Sequence, residues 1–434
     1  MSPASRVLVV GRGGREHALM WRLARDEDVS EVLAAPGNDG IGRRFRRLMI
    51  SEDDAASLAE ACRAERIDLV VIGPEAPLVA GLADRLRDAG VLVYGPGAQV
   101  AQLESSKWFA KEIMAEAKVP SARAEPFEEP VRASRALDGF GPPWVIKADG
   151  LAAGKGVRVT RDRREAEAFI RACLVEGRFA AGGRRILLEE FLAGEELSAM
   201  AVCDGRRFTL LPTARDYKRA FDGDQGPNTG GMGAHAPAEM GGPDLEAEVG
   251  RRVIAPVLEA MARRGMPFRG TLYAGLMMGE RGLQVIEFNC RFGDPETQVV
   301  LPLLKGSLAS LLTSAARGAL RPGEIRRAPG SAVAVAVVDE GYPDAVRGEG
   351  SVEGLEALMK ERDLEVFHAA AVWDAGRWRV SGGRVAYVMA RAATRAAARE
   401  RVYAALARLG GTGWRCRHDI AVAPAETMGG ADGR

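Results

Sequence analysis

Histidine and cysteine are scarce in this chain. Four histidines and five cysteines are spread over 434 residues, and the cysteines (Cys62, Cys173, Cys203, Cys290 and Cys416) are odd in number and far apart. Neither a disulfide framework nor a CxxC metal knuckle can be drawn from them, and no zinc site is expected. An excess of charge is missing as well. Lys plus Arg number 60 against 59 for Asp plus Glu, so there is no basic stripe of the kind that non-specific nucleic-acid binding demands. The third absence is a long apolar run: the N-terminal "RVLVVG" is far too short for a signal h-region or a membrane span. These absences predict a soluble cytoplasmic protein with no nucleic-acid or membrane partner. What is present is ordinary globular composition, 47% hydrophobic, in a chain too long for one core, and two to four domains are expected.

Residues 6 to 105 alternate short apolar runs ("RVLVVG", "EVLAAPG", "IDLVVIG", "VLVYGP") with helical patterns such as "REHALMWRLARD" and "PLVAGLADRLRDAG". Strands separated by helices predict a parallel sheet wrapped by helices, a Rossmann-like domain over 1–105. Ligands of such sheets sit at the carboxyl ends of the strands, where three loops fall: "GRGGREH" (11–17), "PGNDG" (36–40) and "GPEAP" (73–77). Gly11, Gly13 and Gly14 lack the third glycine of GxGxxG, and a tight turn explains that partial match as well as a nucleotide does. A Rossmann dehydrogenase is therefore not supported.

The chemistry lies further on. "PWVIKADGLAAGKGVRVT" reads as two strands joined by a small-residue loop that brings Lys147 and Lys155 together. Small residues let backbone N–H groups approach phosphate oxygens. It is not a P-loop, because Lys155 is followed by Gly156 and a strand-like "VRVT" instead of Ser or Thr opening a helix. A hairpin lid over a nucleotide and a plain flexible hairpin both fit; the lid is favoured, since a strand carrying Lys147 into such a loop has no obvious packing purpose. "EEFLAGEELS" (189–198) is either a solvated acidic edge or, downstream of a phosphate loop, an adenine hinge. "DGDQGPNTGGMGAHAP" reads as a long turn-rich loop with five glycines between 223 and 233. "TQVVLPLLKGSLASLLTSAARG" reads as one helix, and the chain from about 327 as a small α+β domain.

The stretch "VIEFNCRFGDPETQ" (285–298) poses the sharpest question. As a strand it places Ile286, Phe288 and Cys290 on one face and Glu287, Asn289 and Arg291 on the other. Such a polar face is either solvated or internal, with oxygen ligands for a metal and a guanidinium for an anion. Magnesium bridges nucleotide phosphates through one or two protein carboxylates, which suits Glu287 and Asn289 two residues apart.

Taken in order, "GGREHAL", "GPEAPLV", "IKADGLAAGKGV", "EEFLAGEE", "GPNTGGMGA", "LYAGLM" and "VIEFNCRFGDPETQ" resemble the phosphoribosylamine glycine ligases, ATP-grasp enzymes of de novo purine synthesis. The resemblance runs to about residue 423, with "RFGDPETQ" its most specific part. It implies a Rossmann-like N-terminal domain (1–105), an ATP-grasp core of two subdomains (106–326, with a lid at about 124–190), a small α+β C-terminal cap (327–424) and a flexible tail (425–434). It further implies that Lys107, Lys147 and the loop Gly150, Gly154, Lys155 and Gly156 hold ATP. Glu189, Glu190 and Leu192 would meet adenine, and Glu196 the ribose. Glu287 and Asn289 would bind Mg²⁺ or Mn²⁺. Asp216, Lys218, Asn228, Thr229 and Arg291 would surround glycine and the reacting phosphates, with Arg291, Lys155, Asp216 and Lys218 in the catalytic roles. Gly13, Gly14, Glu16, Asn38, Gly73 and Glu75 would line the phosphoribosylamine pocket, and a monomer is expected.

Three positions depart from the family pattern: Arg12, "TARDYKR" and "FHAAAV". None touches Glu287, Asn289, Arg291 or the lysines. The rival readings are an ATP-grasp ligase or carboxylase for another acid, against which "GGREH" and "GPEAP" speak, and a regulatory module that keeps the fold without catalysis, against which the intact lysines and metal ligands speak.

Overall fold

The computed structural model describes residues 5–152, 156–179, 184–240, 242, 244–321 and 323–422. The N-terminal region forms the expected parallel sheet. Its strands are β1 (Ser5–Gly11), β2 (Val29–Pro36), β3 (Arg46–Arg47), β4 (Leu69–Ile72) and β5 (Val93–Tyr94), in the order β3-β2-β1-β4-β5. Val7, Leu8, Val9 and Val10 of the central strand are all fully buried, as a parallel strand covered on both faces requires. The loops after β1, β2 and β4 therefore emerge together at one edge.

A second, antiparallel sheet follows, built from β6 (Ala124–Phe127), β7 (Trp144–Ala148), β8 (Val157–Thr160) and β9 (Ile186–Glu189) in the order β6-β9-β7-β8. The helices Pro130–Phe140 and Arg163–Leu174 cover one face. The second of these starts where the Asp162 side chain accepts from Arg164 N, and it buries Ala166, Phe169, Ile170 and Cys173 at helical spacing. With Trp144, Ile146, Ile186 and Leu188 they make a small core separate from the rest.

The third sheet is antiparallel, in the order β11-β10-β16-β17, where β10 is Glu195–Asp204, β11 Phe208–Leu210, β16 Arg269–Gly279 and β17 Gly282–Asn289. The fourth joins β12 (Arg215–Asp216) and β15 (Gly233–Ala236) to β20 (Ser331–Asp339), β25 (Arg384–Ala392) and β22 (Leu364–His368), with β27 (Trp414–Arg415) also on β20. Strands from the middle of the chain are thus hydrogen-bonded into the sheet of the last region. A single buried cluster accordingly includes Leu19 and Leu23 of the first region, Leu312 of the middle and Val335 and Val388 of the last.

Two expectations change. The turn-rich 222–237 is not one loop: β13 (Arg219–Phe221) and β14 (Gln225–Asn228) form a ribbon, and β15 follows. The single helix expected over 297–318 is broken into Glu296–Val300, a 3₁₀ turn Leu301–Leu303 and the helix Leu308–Ala316. Pro302 lacks the N–H to continue the first helix, and Gly306 sits at φ +105° with its missing Cβ directed at the Glu324 carbonyl, 2.2 Å away.

Candidate active site

β17 carries the polar face read from the sequence, with one refinement. Its register against β16 slips between Gly275↔Glu287 and Leu276↔Val285, which makes Ile286 the extra residue of a bulge. Leu283, Val285, Phe288 and Cys290 are therefore the buried set, whereas Ile286 is half-buried. Its exposed carbonyl accepts from Lys147 Nζ at 3.3 Å. Glu287 and Asn289 keep the opposite side. Glu287 makes no ion pair or hydrogen bond to a described residue. Burial pushes its carboxyl up, but Lys218, Lys147, Lys107 and Arg291 together hold it below the usual range.

The lysines come from different elements. Lys107 opens the helix Lys107–Glu116, which Ser106 caps through Phe109 N, and its Nζ reaches the Gly150 carbonyl at 3.0 Å. Lys147 on β7 pairs with Glu189 Oε2 on β9 at 2.8 Å, and Lys111, one turn after Lys107, approaches the same oxygen at 3.5 Å. Glu189 Oε1 is buried with no hydrogen-bond partner among the described residues. Burial lowers the Lys107 and Lys111 pKa values against the opposing pull of Glu287 and Glu189. At the strand end, Glu190 spends its N–H on the Arg123 carbonyl (2.9 Å) and its carboxylate on Arg281 (3.0 Å), and Leu192 is half-buried. Gly150 (φ +143°) and Gly156 flank the small-residue loop; Gly154 and Lys155 lie outside the described residues.

Asp216 and Lys218 stand on and just after β12. Lys218 Nζ lies 2.9 Å from Glu196 Oε2 and 3.7 Å from Asp216 Oδ2. Burial pushes the Asp216 carboxyl up to about 7 although Lys218 opposes it. Lys218 stays charged: burial acts against the ammonium, and Asp216 and Glu196 outweigh it. Asn228 pairs with Arg219 across the ribbon, and Thr229 donates both its N–H (2.7 Å) and its hydroxyl (2.8 Å) to the Lys218 carbonyl.

Two of the three N-terminal loops converge on Arg291, through Arg15 and Glu75. Glu16 in the first turn of the helix Gly14–Leu23 accepts from Gly13 N at 2.6 Å and from Arg15 Nε at 2.5 Å. A Cβ on Gly73 would lie 2.1 Å from Glu16 Oε1, so a side chain there would displace the Glu16 carboxylate. Glu75 Oε2 sits 3.3 Å from Arg291 Nε and 3.8 Å from Arg15. Burial raises the Glu75 pKa, but the two guanidiniums outweigh it and bring the carboxyl to about 2. The Arg291 Nε contact is poorly aligned for a hydrogen bond, so the pair is coulombic. On its other side Arg291 Nη2 meets Glu104 Oε1 at 3.3 Å, and Glu104 Oε2 accepts from Cys290 N at 2.7 Å. Asn38 caps its own turn through Ile41 N and donates to the His368 carbonyl at 2.9 Å. Gly14 packs against Tyr387, whose ring would lie 2.7 Å from a Cβ there. Loops of all three regions therefore meet around Arg291. Arg12 points elsewhere, to Glu52 at 3.3 Å.

Arg15, Glu104, Lys111, Asp294 and Arg384 also belong to this neighbourhood but were not among the expected residues. Arg15 and Asp294 lie inside "GGREHAL" and "RFGDPETQ", where their motifs could have revealed them. Glu104 and Lys111 sit on helices and look like ordinary surface charges until the fold buries them. A cavity of about 760 Å³ lies at the other end of the helix Gly14–Leu23, with Arg22, Arg25, Lys305 and Arg391 among its lining residues, and none of Lys107, Lys147, Lys218, Glu287 or Arg291 lines it.

Among the described residues no group of three or more His, Cys, Asp or Glu side chains is placed to hold a metal. Glu287 and Asn289 offer one carboxylate and one amide, the donor set of a divalent ion whose other ligands are phosphate and water. Glu189 Oε1 offers a buried acceptor to an amine at the hinge. A two-sheet clamp with lysines from both sides and a carboxylate–amide strand defines an ATP-grasp enzyme.

Comparison with known proteins narrows the class. Residues 105–297 match the ATP-grasp (A) domain of phosphoribosylglycinamide synthetase, 5–104 its N domain and 332–423 its C domain. The phosphoribosylamine–glycine ligase of Streptomyces coelicolor is 46% identical, covering 96% of this chain and 98% of that one. That of Mesorhizobium japonicum is 43% identical, covering 95% and 97%. The crystal structure of the Thermotoga maritima phosphoribosylamine–glycine ligase superposes with a TM-score of 0.84 at 33% identity, covering 96% of this chain and all of that one. The chain belongs to the phosphoribosylglycinamide synthetase family.

Proposed function

We infer that the protein joins glycine to 5-phosphoribosylamine with ATP, giving glycinamide ribonucleotide, ADP and phosphate in purine biosynthesis. The glycine carboxylate attacks the γ-phosphate to give glycyl phosphate, and the amine of phosphoribosylamine then attacks the acyl carbon and expels phosphate. No side-chain nucleophile is needed, because phosphoryl transfer depends on in-line positioning and charge neutralisation. The observation that carries this reading is the Glu287 carboxylate, unpaired among the described residues and surrounded by the charges of Lys107, Lys147, Lys218 and Arg291, a charge pattern completed by a polyphosphate and a cation.

Lys107, Lys147 and the loop from Gly150 to Gly156 hold the phosphates, Lys155 included. Glu189, Glu190 and Leu192 receive adenine, with the free Glu189 oxygen accepting from its amine, and Glu196 receives the ribose. Mg²⁺ or Mn²⁺ held by Glu287 and Asn289 would neutralise phosphate charge. Asp216, Lys218, Asn228, Thr229 and Arg291 hold glycine and the transferring phosphate, and the Gly13, Gly14, Glu16, Asn38, Gly73 and Glu75 edge holds phosphoribosylamine. An acyl phosphate hydrolyses in open water, so the small sheet β6-β9-β7-β8 acts as the lid that excludes it. The working division is 1–105, 106–326 and 327–424. The enzyme acts as a cytoplasmic monomer; among the described residues no helix is long and apolar enough to cross a membrane.

ADP release from purified protein with Mg-ATP, glycine and freshly generated phosphoribosylamine, omitting each in turn, tests the reading. Turnover is expected only when all are present. Turnover with another acid in place of glycine would overturn the substrate assignment, and none under any combination would favour a regulatory role.

A further inference from the structure

Within 228–231 the last region holds the Gly230 peptide from both sides. Gly230 donates its N–H to the Tyr342 hydroxyl at 2.9 Å, and its carbonyl accepts from Arg384 Nη1. Tyr342 follows β20 and Arg384 opens β25. The same guanidinium pairs through Nη2 with Asp294 Oδ2 at 2.7 Å, and Gln298 Nε2 holds the other oxygen of that carboxylate at 2.7 Å. One side chain of the cap thus ties the 228–231 segment to the segment that follows Arg291. Space around the contact is limited. A Cβ on Gly230 would lie 3.0 Å from Arg384 Cζ, and one on Gly231 would lie 2.4 Å from Pro295 Cδ. Tyr342 is itself fixed, its carbonyl accepting from Arg415 Nη2 at 2.7 Å and its ring lying 2.3 Å from a Cβ on Gly383.

The held peptide lies next to Thr229. That residue's hydroxyl accepts from Gly231 N at 3.0 Å and donates to the Lys218 carbonyl. Holding Gly230 therefore fixes Thr229, and Thr229 fixes the backbone that carries Lys218. Neither Arg384 nor Tyr342 needs to touch a substrate for this to matter.

We propose that Arg384 and Tyr342 are positioning residues of the glycine site, which set the 228–231 segment, and through it Thr229 and Lys218, in the geometry that receives the amino acid. The proposal rests on the reading of that segment as part of the glycine site. Hydrogen bonds set geometry at modest net strength, so the effect should fall on one substrate and spare the fold.

Tyr342→Phe, which keeps the ring and removes the acceptor, should raise the glycine KM about fivefold. Arg384→Met, which removes a charge-assisted bond as well, should raise it at least about tenfold. The ATP KM should stay within about twofold in both, as for an interaction confined to one substrate. Arg384→Lys should recover only part of the loss, because an ammonium cannot span Gly230 and Asp294 at once. The double variant should lose less than the sum of the two, since both hold one peptide, and amide exchange at Gly230 should quicken in Tyr342→Phe. Glycine KM unchanged in both single variants would overturn the proposal. So would a parallel rise in the ATP and glycine KM values with a lowered unfolding midpoint, which marks a general contact of the fold. If Arg384→Met does not fold, Tyr342→Phe carries the test alone. Wild-type protein that releases no ADP in response to glycine would defeat the functional reading, and the proposal with it. That outcome is told apart by needing no variant.

Discussion

Two buried charge clusters lie side by side, and they are built on opposite plans. In the first, Lys107, Lys111 and Lys147 face Glu189 and Glu287, and among the described residues the matching is incomplete: Glu287 has no hydrogen-bond or ion-pair partner and Glu189 Oε1 is unsatisfied. In the second, Arg15 and Arg291 face Glu16, Glu75 and Glu104, and each carboxylate has a guanidinium within 2.5 to 3.8 Å. Buried charge left unmatched costs stability unless something completes it. On the proposed assignment the lysine cluster receives a polyanion with its cation, whereas each carboxylate of the arginine cluster is already met by a guanidinium. Lysine suits the first task as a compact charge on a flexible stem, and arginine the second as a planar fork that meets two carboxylates at once.

The largest effect that could break this contrast is at Glu287. Glu287→Gln keeps the shape and removes a carboxylate charge that has no ion-pair partner among the described residues. Its kcat should fall about 10³-fold, in the range for removal of one preorganised electrostatic group, while the urea midpoint holds steady. A kcat within tenfold of wild type would put Glu287 on the same footing as an ordinary buried carboxylate.

Arg291 sharpens the contrast from the other side. Arg291→Ala should lower kcat about hundredfold and leave the ATP KM within about threefold if, as proposed, the guanidinium orients the transferring group and does not hold the nucleotide. Steady-state kinetics with ATP varied at saturating glycine measures both. Unchanged turnover would remove Arg291 from the chemistry.

The two clusters were unequally legible. Glu287, Asn289 and Arg291 could be read from alternation alone, since three polar side chains two apart on an apolar strand share a face. The bulge at Ile286 could not, because a register slip depends on the partner strand β16 and leaves no mark in β17 itself. Lys147 and Lys155 stood out as charges beside a small-residue loop, but Lys111 and Glu104 meet partners 78 and 187 positions away, Glu189 and Arg291, and helical periodicity is silent on such pairs. The sheet of the first region was legible from its run-and-helix alternation. The breaks after Val300 and before Leu308 were not, although Pro302 and Gly306 were visible, because apolar periodicity continues through both.

The contact between the first and last regions gives the smallest effect and a test independent of catalysis. His17 and His368 stack there with ring centroids 5.6 Å apart, both fully buried, and His17 Nδ1 accepts from His368 N at 3.0 Å. The other three ring nitrogens have no hydrogen-bond partner among the described residues. Phe45, Phe367 and Trp378 surround the pair, and the charges facing it, Arg43 and Arg44, are cationic. Burial, helped by these arginines, brings His368 down to about 3, and burial with the charge of His368 takes His17 well below its usual value. A folded pKa below the unfolded one means that the unfolded chain takes up protons the folded chain refuses. Stability is then complete above about pH 6.5 and falls as pH drops toward 3, by about 1.4 kcal/mol per pH unit per histidine. Asp216 works in the opposite sense: its raised pKa, about 7, makes the folded form the one that binds the proton above the ordinary carboxylate range. Wild type alone would therefore show a muted slope. Subtracting His368→Asn from wild type cancels Asp216 and isolates one imidazole. Urea unfolding at pH 7.5, 6.5 and 5.5 should give a difference that is flat down to 6.5 and then changes by about 1 kcal/mol over the next unit. Parallel curves across that range would mean that His368 already titrates normally in the folded protein, and that the contact is open to water.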